Sequence, residues 1–328
     1  MSDHLGSAHG GPPSGAGAAE ALRWGVLLPT FDVFERGAPP VVAAARRAED
    51  LGFDAVWAGD HLVARVPVLD SLGSLCAAAA VTSRVEVGVS VLQIALRHLV
   101  WTAKQLATID ALAPGRLRLG VGVGGEYPEE FTATHSHRET RGRVVDEMLG
   151  VLPALLDGRP VDHPGPHAPL TTPALRPALS RKPPISVGGR SRAALMRTVR
   201  FGDQWLPMWR EPKAVREQAE VLAGLAADRG TRAPSVGLLI LANVDPDLGV
   251  SRRDAAAGFE RQYRIPFDVV ERWTAYGPAE RVAEMILEYQ EAGVSELIMM
   301  PVGPDTLGQY ESFVSVRALV DSEVVRRG

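Results

Sequence analysis

The chain predicts an eight-stranded parallel α/β barrel of the TIM (β/α)8 class. Three observations lead there. Eight short apolar runs each precede a helical pattern, which is the count such a barrel requires. The runs are continuously apolar rather than alternating, as parallel strands covered by helices should be. The first strand-to-helix turn, PTFDVFERGAPP, has no glycine fingerprint, which argues against an open doubly wound sheet.

The elements follow in order. RWGVLLPT (Arg23 to Thr30) reads as a buried strand. PPVVAAARRAEDLG reads as a helix with proline near its start, Val42, Ala45 and Leu51 near one face, and glycine at its stop. FDAVWAGDH is the second strand and VLDSLGSLCAAAAVTS the second helix. RVEVGVSVLQ is the third strand, Arg97-His98 the entry to the next helix, and Pro114-Gly115 its stop. RLRLGVGVG is the fourth strand, followed by the helix ETRGRVVDEMLGVLPALLDG. Residues 159–184 are proline-rich and read as an extended surface excursion. ISVGG, DQWLP and SVGLLILANV are strands five to seven, the first two each followed by a helix. A less regular insertion, Asp245 to Tyr276, precedes the helix GPAERVAEMILEYQEAGV. SELIMMPVG is the eighth strand and TLGQYESFVSVRALVDSE the closing helix. The barrel thus carries insertions after strands 4 and 7, and residues 23–328 form one domain. Residues 1–22 are rich in Gly, Ser, Ala and Pro and read as a disordered extension. They lack the basic start and apolar core of a signal peptide.

Composition narrows the function. Of 328 residues, 46% are hydrophobic and 23% charged, as in a soluble protein with a full core. A net charge of −4 does not suit a nucleic-acid partner. No window approaches the roughly 18 apolar residues of a membrane span. The single cysteine, Cys76, excludes an internal disulfide and a cysteine metal cluster and suits a reducing cytoplasm. The expected partner is a small-molecule substrate.

In a barrel the residues just after each strand build the active face. Asp60 and His61 end strand two, and a histidine there can hold or release a proton near neutral pH. The alternative is that Asp60 caps a turn and His61 is a wall residue; position alone does not decide. LGVGVGGEYPEEF ends strand four with glycines that allow a flat ligand to approach, or that make room for large neighbours inside the barrel. Pro128 is read as interrupting any helix after it. Glu126 is a candidate acid, and Glu129 and Glu130 are expected to be solvated. ISVGGRSRAAL is the strongest phosphate signal: bare glycine N–H groups, a helix N-terminus and Arg190-Ser191 converge. A glycine turn with a capping serine is the alternative. His135 and His137 have no carboxylate or cysteine partner at ligand spacing, so no metal site is expected.

Taken together, GVLLP, AARRAEDLGFDAVWAGDHL, TSRVEVGVSVL, AKQLATIDALAPGRLRLGVGVGG, RGRVVDEML, PPISVGGRSRAAL, FGDQWLP and GPAERVAEMILEYQEAGVSELIM resemble, in order, the recurring segments of the bacterial luciferase-like monooxygenase superfamily. The resemblance covers residues 23 to 302 and implies a luciferase-like TIM barrel. One branch of that superfamily uses FMN and oxygen; the other uses coenzyme F420, a deazaflavin hydride carrier. PPISVGGRSRAALMRTVRFGDQWLP is similar to the F420 branch. The resemblance implies that Gly188, Gly189, Arg190 and Ser191 receive the cofactor phosphate. It implies that Val123, Gly124 and Gly125 lie along the deazaflavin, and that a non-prolyl cis peptide at Ser90-Val91 backs the ring. It makes His61 the pocket histidine, with Asp60 and Glu126 as its catalytic companions. Phe31, Gln93, Trp209 and Trp273 would shape the substrate pocket, with Arg210 and Arg264 available to an anionic substrate. Sugar-phosphate dehydrogenases of this branch carry a glutamate where Gly125 stands and a tryptophan shortly after the histidine, and this chain has neither. The expected activity is an F420-dependent oxidoreductase acting on a small organic substrate, as a homodimer. The alternatives are an FMN-dependent flavin monooxygenase and a non-catalytic barrel that has lost cofactor binding.

Overall fold

A computed structural model describes residues 21–37 and 40–327. The strands and helices run in the order β1 (Arg23–Leu27), α1 (Val41–Asp50), β2 (Ala55–Ala58), α2 (Ser71–Val81), β3 (Glu86–Gln93), α3 (Leu99–Leu112), β4 (Leu117–Gly122), α4 (Pro128–Ala133) and α5 (Arg141–Leu156). There follow β5 (Val161–His163), β6 (Leu170–Thr172), β7 (Ile185–Gly188), α6 (Arg192–Phe201), β8 (Gln204–Leu206), α7 (Pro212–Asp228) and β9 (Ser235–Val244). The chain ends with α8 (Leu248–Tyr263), β10 (Thr274–Gly277), α9 (Ala279–Glu291), β11 (Val294–Pro301) and α10 (Thr306–Arg327).

Strands β1, β2, β3, β4, β7, β8, β9 and β11 pair in parallel in that order, and β11 returns to β1. This is the closed eight-stranded barrel, and β10 is a short addition on the far end of β9. Most of the expected extension lies outside the described residues. Its end does not: Leu22 is buried in the core, so the folded domain starts before the expected residue 23.

Two apolar clusters hold the fold. The larger lies between barrel and helices, where Trp24, Val56, Val87, Leu119 and Val187 meet the inward faces of the surrounding helices. The smaller fills the barrel and runs up to α8 through Trp57, Leu239, Ile298 and Phe259. Glycines are needed where Trp57 lies. A Cβ on Gly25 would sit 2.6 Å from its indole nitrogen, and one on Gly88 2.5 Å from its ring. The base of the barrel is polar. Arg118, stacked 5.4 Å from the Trp57 ring, bonds Glu86 at 2.9 Å and Glu296 at 2.8 Å. Gln204 adds a bond to Glu296 at 2.8 Å and accepts one from Ser186 at 2.8 Å.

Two expectations need correction. Pro128 does not prevent a helix: it opens α4, because a first-turn residue has no helical hydrogen bond to lose. The segment 245–276 is mostly regular. Asp247 caps α8 by accepting from Gly249 and Val250, and α8 then runs for 16 residues. The proline-rich excursion contains the antiparallel pair β5–β6, pinned to α5 where Glu147 accepts from His163 and from the backbone of His167 and Ala168.

Candidate active site

At the C-terminal ends of β2, β3, β4, β7 and β8 lies a cavity of about 430 Å³, within the size range of small-molecule sites. One wall is the end of β3. The Ser90-Val91 peptide is cis. The pairing of β3 with β4 shifts register between Val89 and Leu92, which marks a bulge. Glycines surround it: a Cβ on Gly122 would sit 2.5 Å from Val91, and one on Gly188 3.2 Å. Gly124 has φ +63° and Gly125 +117°, so the chain there turns through left-handed backbone at the cavity edge.

Asp60 is buried, and both its oxygens are engaged. Oδ1 accepts from Ser71 Oγ and Arg97 at 2.6 Å each, and Oδ2 accepts from the Gln93 N–H at 2.9 Å. These contacts tie the end of β2 to α2, to the end of β3 and to Arg97, and Asp60 also borders the cavity.

His61 faces the cavity. Its Nδ1 lies 3.1 Å from Glu130 Oε1, which also accepts from the backbone of Leu62 at 2.8 Å and Val63 at 3.3 Å. Glu130 has no exposed surface, which corrects the expectation that it is solvated. The first turn of α4 carries its side chain inward. Gln93 Nε2, which donates to the Asp60 carbonyl at 2.7 Å, lies 3.0 Å from the same imidazole nitrogen. An ionised carboxylate only accepts, so a proton on Nδ1 is donated to Glu130, and Nε2 faces the cavity. Glu126 Oε2 stands 3.7 Å from Nε2. Phe31 and Tyr127 hold the ring edge-on at 6.0 and 4.9 Å.

The electrostatics follow. Burial opposes the charged imidazolium, but the Glu130 hydrogen bond and the fields of Glu126, Glu130 and Asp60 outweigh it, so the His61 pKa stands above its ordinary value. Burial raises the Glu126 pKa against the opposing pull of His61. Glu130 goes the other way. Burial would raise it, but the bonds from His61, Leu62 and Val63 hold it below the carboxylate range.

The expected phosphate segment borders the same cavity through Gly188, Gly189 and Arg190. Trp205 Nε1 donates to the Gly189 carbonyl at 2.8 Å. Arg190 stacks 5.7 Å from the Trp209 ring, and its backbone carbonyl accepts from Gln218 at 3.0 Å. Burial and the neighbouring Arg210 lower its pKa. No carboxylate lies within ion-pair distance of it among the described residues. Ser191 does not line the cavity: it caps α6, accepting the Ala194 N–H at 3.2 Å. Val123 and Gln93 line the cavity, as do Phe31 and Trp209. Trp273 does not. It sits on a short 3₁₀ turn outside, under the Arg272 guanidinium at 4.4 Å, because α8 has taken the place expected for that loop. Arg264 is an exposed left-handed C-cap of α8. In their place α8 brings Gln262 and Tyr263 to the cavity. The sequence signal was the Asp247 cap followed by Ser251, Ala255, Phe259 and Gln262 on one helical face.

The lining suits a flat anionic ligand. The floor is glycine and bulge. Gln93 Oε1 and Trp209 Nε1 are buried at the cavity without hydrogen-bond partners. Trp209 itself has φ +54°, an uncommon conformation for a bulky residue. Arg190 and the α6 N-terminus supply positive potential.

Comparison with known proteins agrees with the geometry. The profile described as luciferase-like monooxygenase matches residues 23–267. A phthiodiolone/phenolphthiodiolone dimycocerosates ketoreductase of Mycobacterium bovis (strain BCG / Pasteur 1173P2) is 27% identical, over 95% of this chain and 85% of that protein. Among solved structures, an F420-dependent secondary alcohol dehydrogenase in complex with an F420-acetone adduct superposes with TM-score 0.79 at 19% identity, over 92% of this chain and 99% of that one. A monooxygenase from Streptomyces bottropensis superposes with TM-score 0.78 at 19% identity, over 90% and 98%. At such identities the likeness is one of fold. Among the described residues, no helix is long and apolar enough to cross a membrane.

Proposed function

The chain belongs to the luciferase-like monooxygenase family, and on that premise we propose that it is a coenzyme F420-dependent oxidoreductase interconverting a carbonyl compound and its alcohol. The observation that carries this is the His61 arrangement. Glu130 lies at Nδ1, and Nε2 faces a cavity floored by glycine and bulge, with Glu126 3.7 Å away. When bound, the deazaflavin supplies a hydride to carbon or accepts one from it. A carbonyl that gains the hydride at carbon takes its proton at oxygen from His61 Nε2; the reverse direction returns both. Phe31 and Tyr127 keep the ring oriented, and Asp60 holds the β3 bulge. Gly188, Gly189 and Arg190 would hold the cofactor phosphate. The segment PPISVGGRSRAAL, which resembles the F420 branch, and the printed activities of the ketoreductase and the alcohol dehydrogenase support the choice.

A second reading, an FMN-dependent monooxygenase, draws on the family description and on the fold likeness to the Streptomyces protein. One titration separates the two. Fluorescence quenching should show F420 binding and no tight FMN binding. Arg190→Ala should weaken F420 roughly 10- to 100-fold, by loss of a charge-assisted bond to phosphate, with the fold retained. Tight FMN binding without F420 binding overturns the proposal, and an unchanged F420 affinity in Arg190→Ala overturns the phosphate assignment.

A further inference from the structure

A second cavity, about 420 Å³, lies beside the first, between the loop after β1, the helix α8 and the loop after β11. Leu27, Phe31, Gln262 and Met300 line both cavities and so form their common wall. Phe31 stands where they meet, edge-on to His61 at 6.0 Å. Leu28, Val33, Phe34, Val302 and Leu307 make the second room largely apolar.

The charged side chains around it are already engaged. Asp32 accepts the N–H groups of Arg36 at 2.8 Å and Gly37 at 2.9 Å. Arg36 donates to the Pro304 carbonyl at 2.9 Å, and Asp305 accepts the Gly308 N–H at 3.0 Å. Two neutral polar groups are not engaged. Thr30 Oγ1 is fully buried and has no hydrogen-bond partner. Gln262 is only 3% exposed, and among the described residues its carboxamide makes no hydrogen bond, its backbone carbonyl alone accepting from Tyr127. A buried polar group without a partner costs stability unless a ligand or water satisfies it. A room with mostly apolar walls, its Arg36 and Asp305 side chains turned to the exposed rim and the Gln262 carboxamide unpaired inside, suits a largely apolar molecule with a little oxygen in it.

We propose that the second cavity holds the non-reacting body of the substrate. The substrate is then an elongated, uncharged, largely apolar ketone or alcohol with a second oxygen group along its length. Its reacting carbon lies in the first room by His61. Its body passes Phe31 into the second, where Gln262 bonds the second oxygen. This rests on the reading of His61 as the proton-handling group of a hydride-transfer site.

The test uses full-length protein without cofactor and the probes acetone, 2-heptanone and 2-undecanone in calorimetric titrations. Each methylene that enters the second room should tighten binding by about three- to four-fold until the room is full. Leu307→Trp and Val33→Trp fill the room from two different elements, and circular dichroism identifies the folded variants. Either should weaken 2-undecanone at least ten-fold relative to acetone, and the ratio of their kcat/KM values should fall alike. On unaltered protein, a diazirine-tailed 2-undecanone should label residues 27–34 or 301–307. Affinity independent of chain length, filled variants that bind as before, or labelling confined to other segments overturns the proposal. Failure of F420 to bind overturns the cofactor reading alone, since the ketone titrations contain no cofactor.

Discussion

The two ends of the barrel interior use the same kinds of residue to opposite effect. At the base, Arg23 and Arg118 face Glu86 and Glu296, and Gln204 and Ser186 extend the network. Positive and negative charges balance. At the mouth, Asp60 is matched by Arg97, but Glu126 and Glu130 share one histidine. That surplus of carboxylate draws a proton to His61 and lifts its pKa. A balanced buried network is inert. An unbalanced one beside a cavity leaves a group able to gain and lose a proton in the working pH range.

Breaking the mouth should have the largest catalytic effect. His61→Ala should lower kcat/KM by about 10²- to 10⁴-fold, the usual contribution of a positioned acid or base, with F420 affinity nearly unchanged and a lower melting temperature, because buried Glu130 loses its side-chain partner. A variant that keeps most of its activity would show that the mouth does not differ from the base in this way.

Breaking the base should cost stability and spare chemistry. Glu296→Ala leaves Arg118 with one partner fewer in a nearly closed site, and loss of such a charge costs about 3–5 kcal/mol. For a chain of this size that is a fall of roughly 4–7 °C in melting temperature. Calorimetry and activity per folded molecule measure the two sides. A large loss of kcat with little change in Tm would contradict the division.

The smallest effect sharpens the comparison most. His61 is raised, so its paired imidazolium stabilises the fold below its ordinary pKa, and that contribution is lost as pH rises through the raised value. If the proposed carbonyl reduction draws its proton from the same imidazolium, kcat/KM should fall over that window, which begins above about 6.5. Glu130→Gln removes a negative charge but keeps an acceptor, and should move this limb to lower pH. A limb that stays in place would mean that Glu130 does not set the His61 proton.

Much of the architecture was legible in the sequence because apolar period and turn residues are local signals. The strands around Val56, Val87, Leu119 and Val187 announce themselves as buried runs, and Asp60, His61 and the Val187-Gly188-Gly189-Arg190 segment sit at strand ends where a barrel builds its site. Glu130 was not legible. Glu129 and Glu130 look like a solvated patch until Pro128 is seen to open a helix that turns Glu130 inward. Trp273 was misplaced, and Gln262 and Tyr263 missed, because the Asp247 cap was not weighted against an irregular-looking composition.

By itself the sequence determined the barrel, the order of its strands and the position of the Gly188-Gly189 turn, since periodicity and glycine placement act over a few residues. The tertiary structure alone decided which charges meet. Asp60 meets Arg97, Ser71 and Gln93, whereas Glu130, 69 positions from His61, meets the imidazole. Coulomb forces and hydrogen bonds depend on distance in space, and only closure of the barrel brings those residues together.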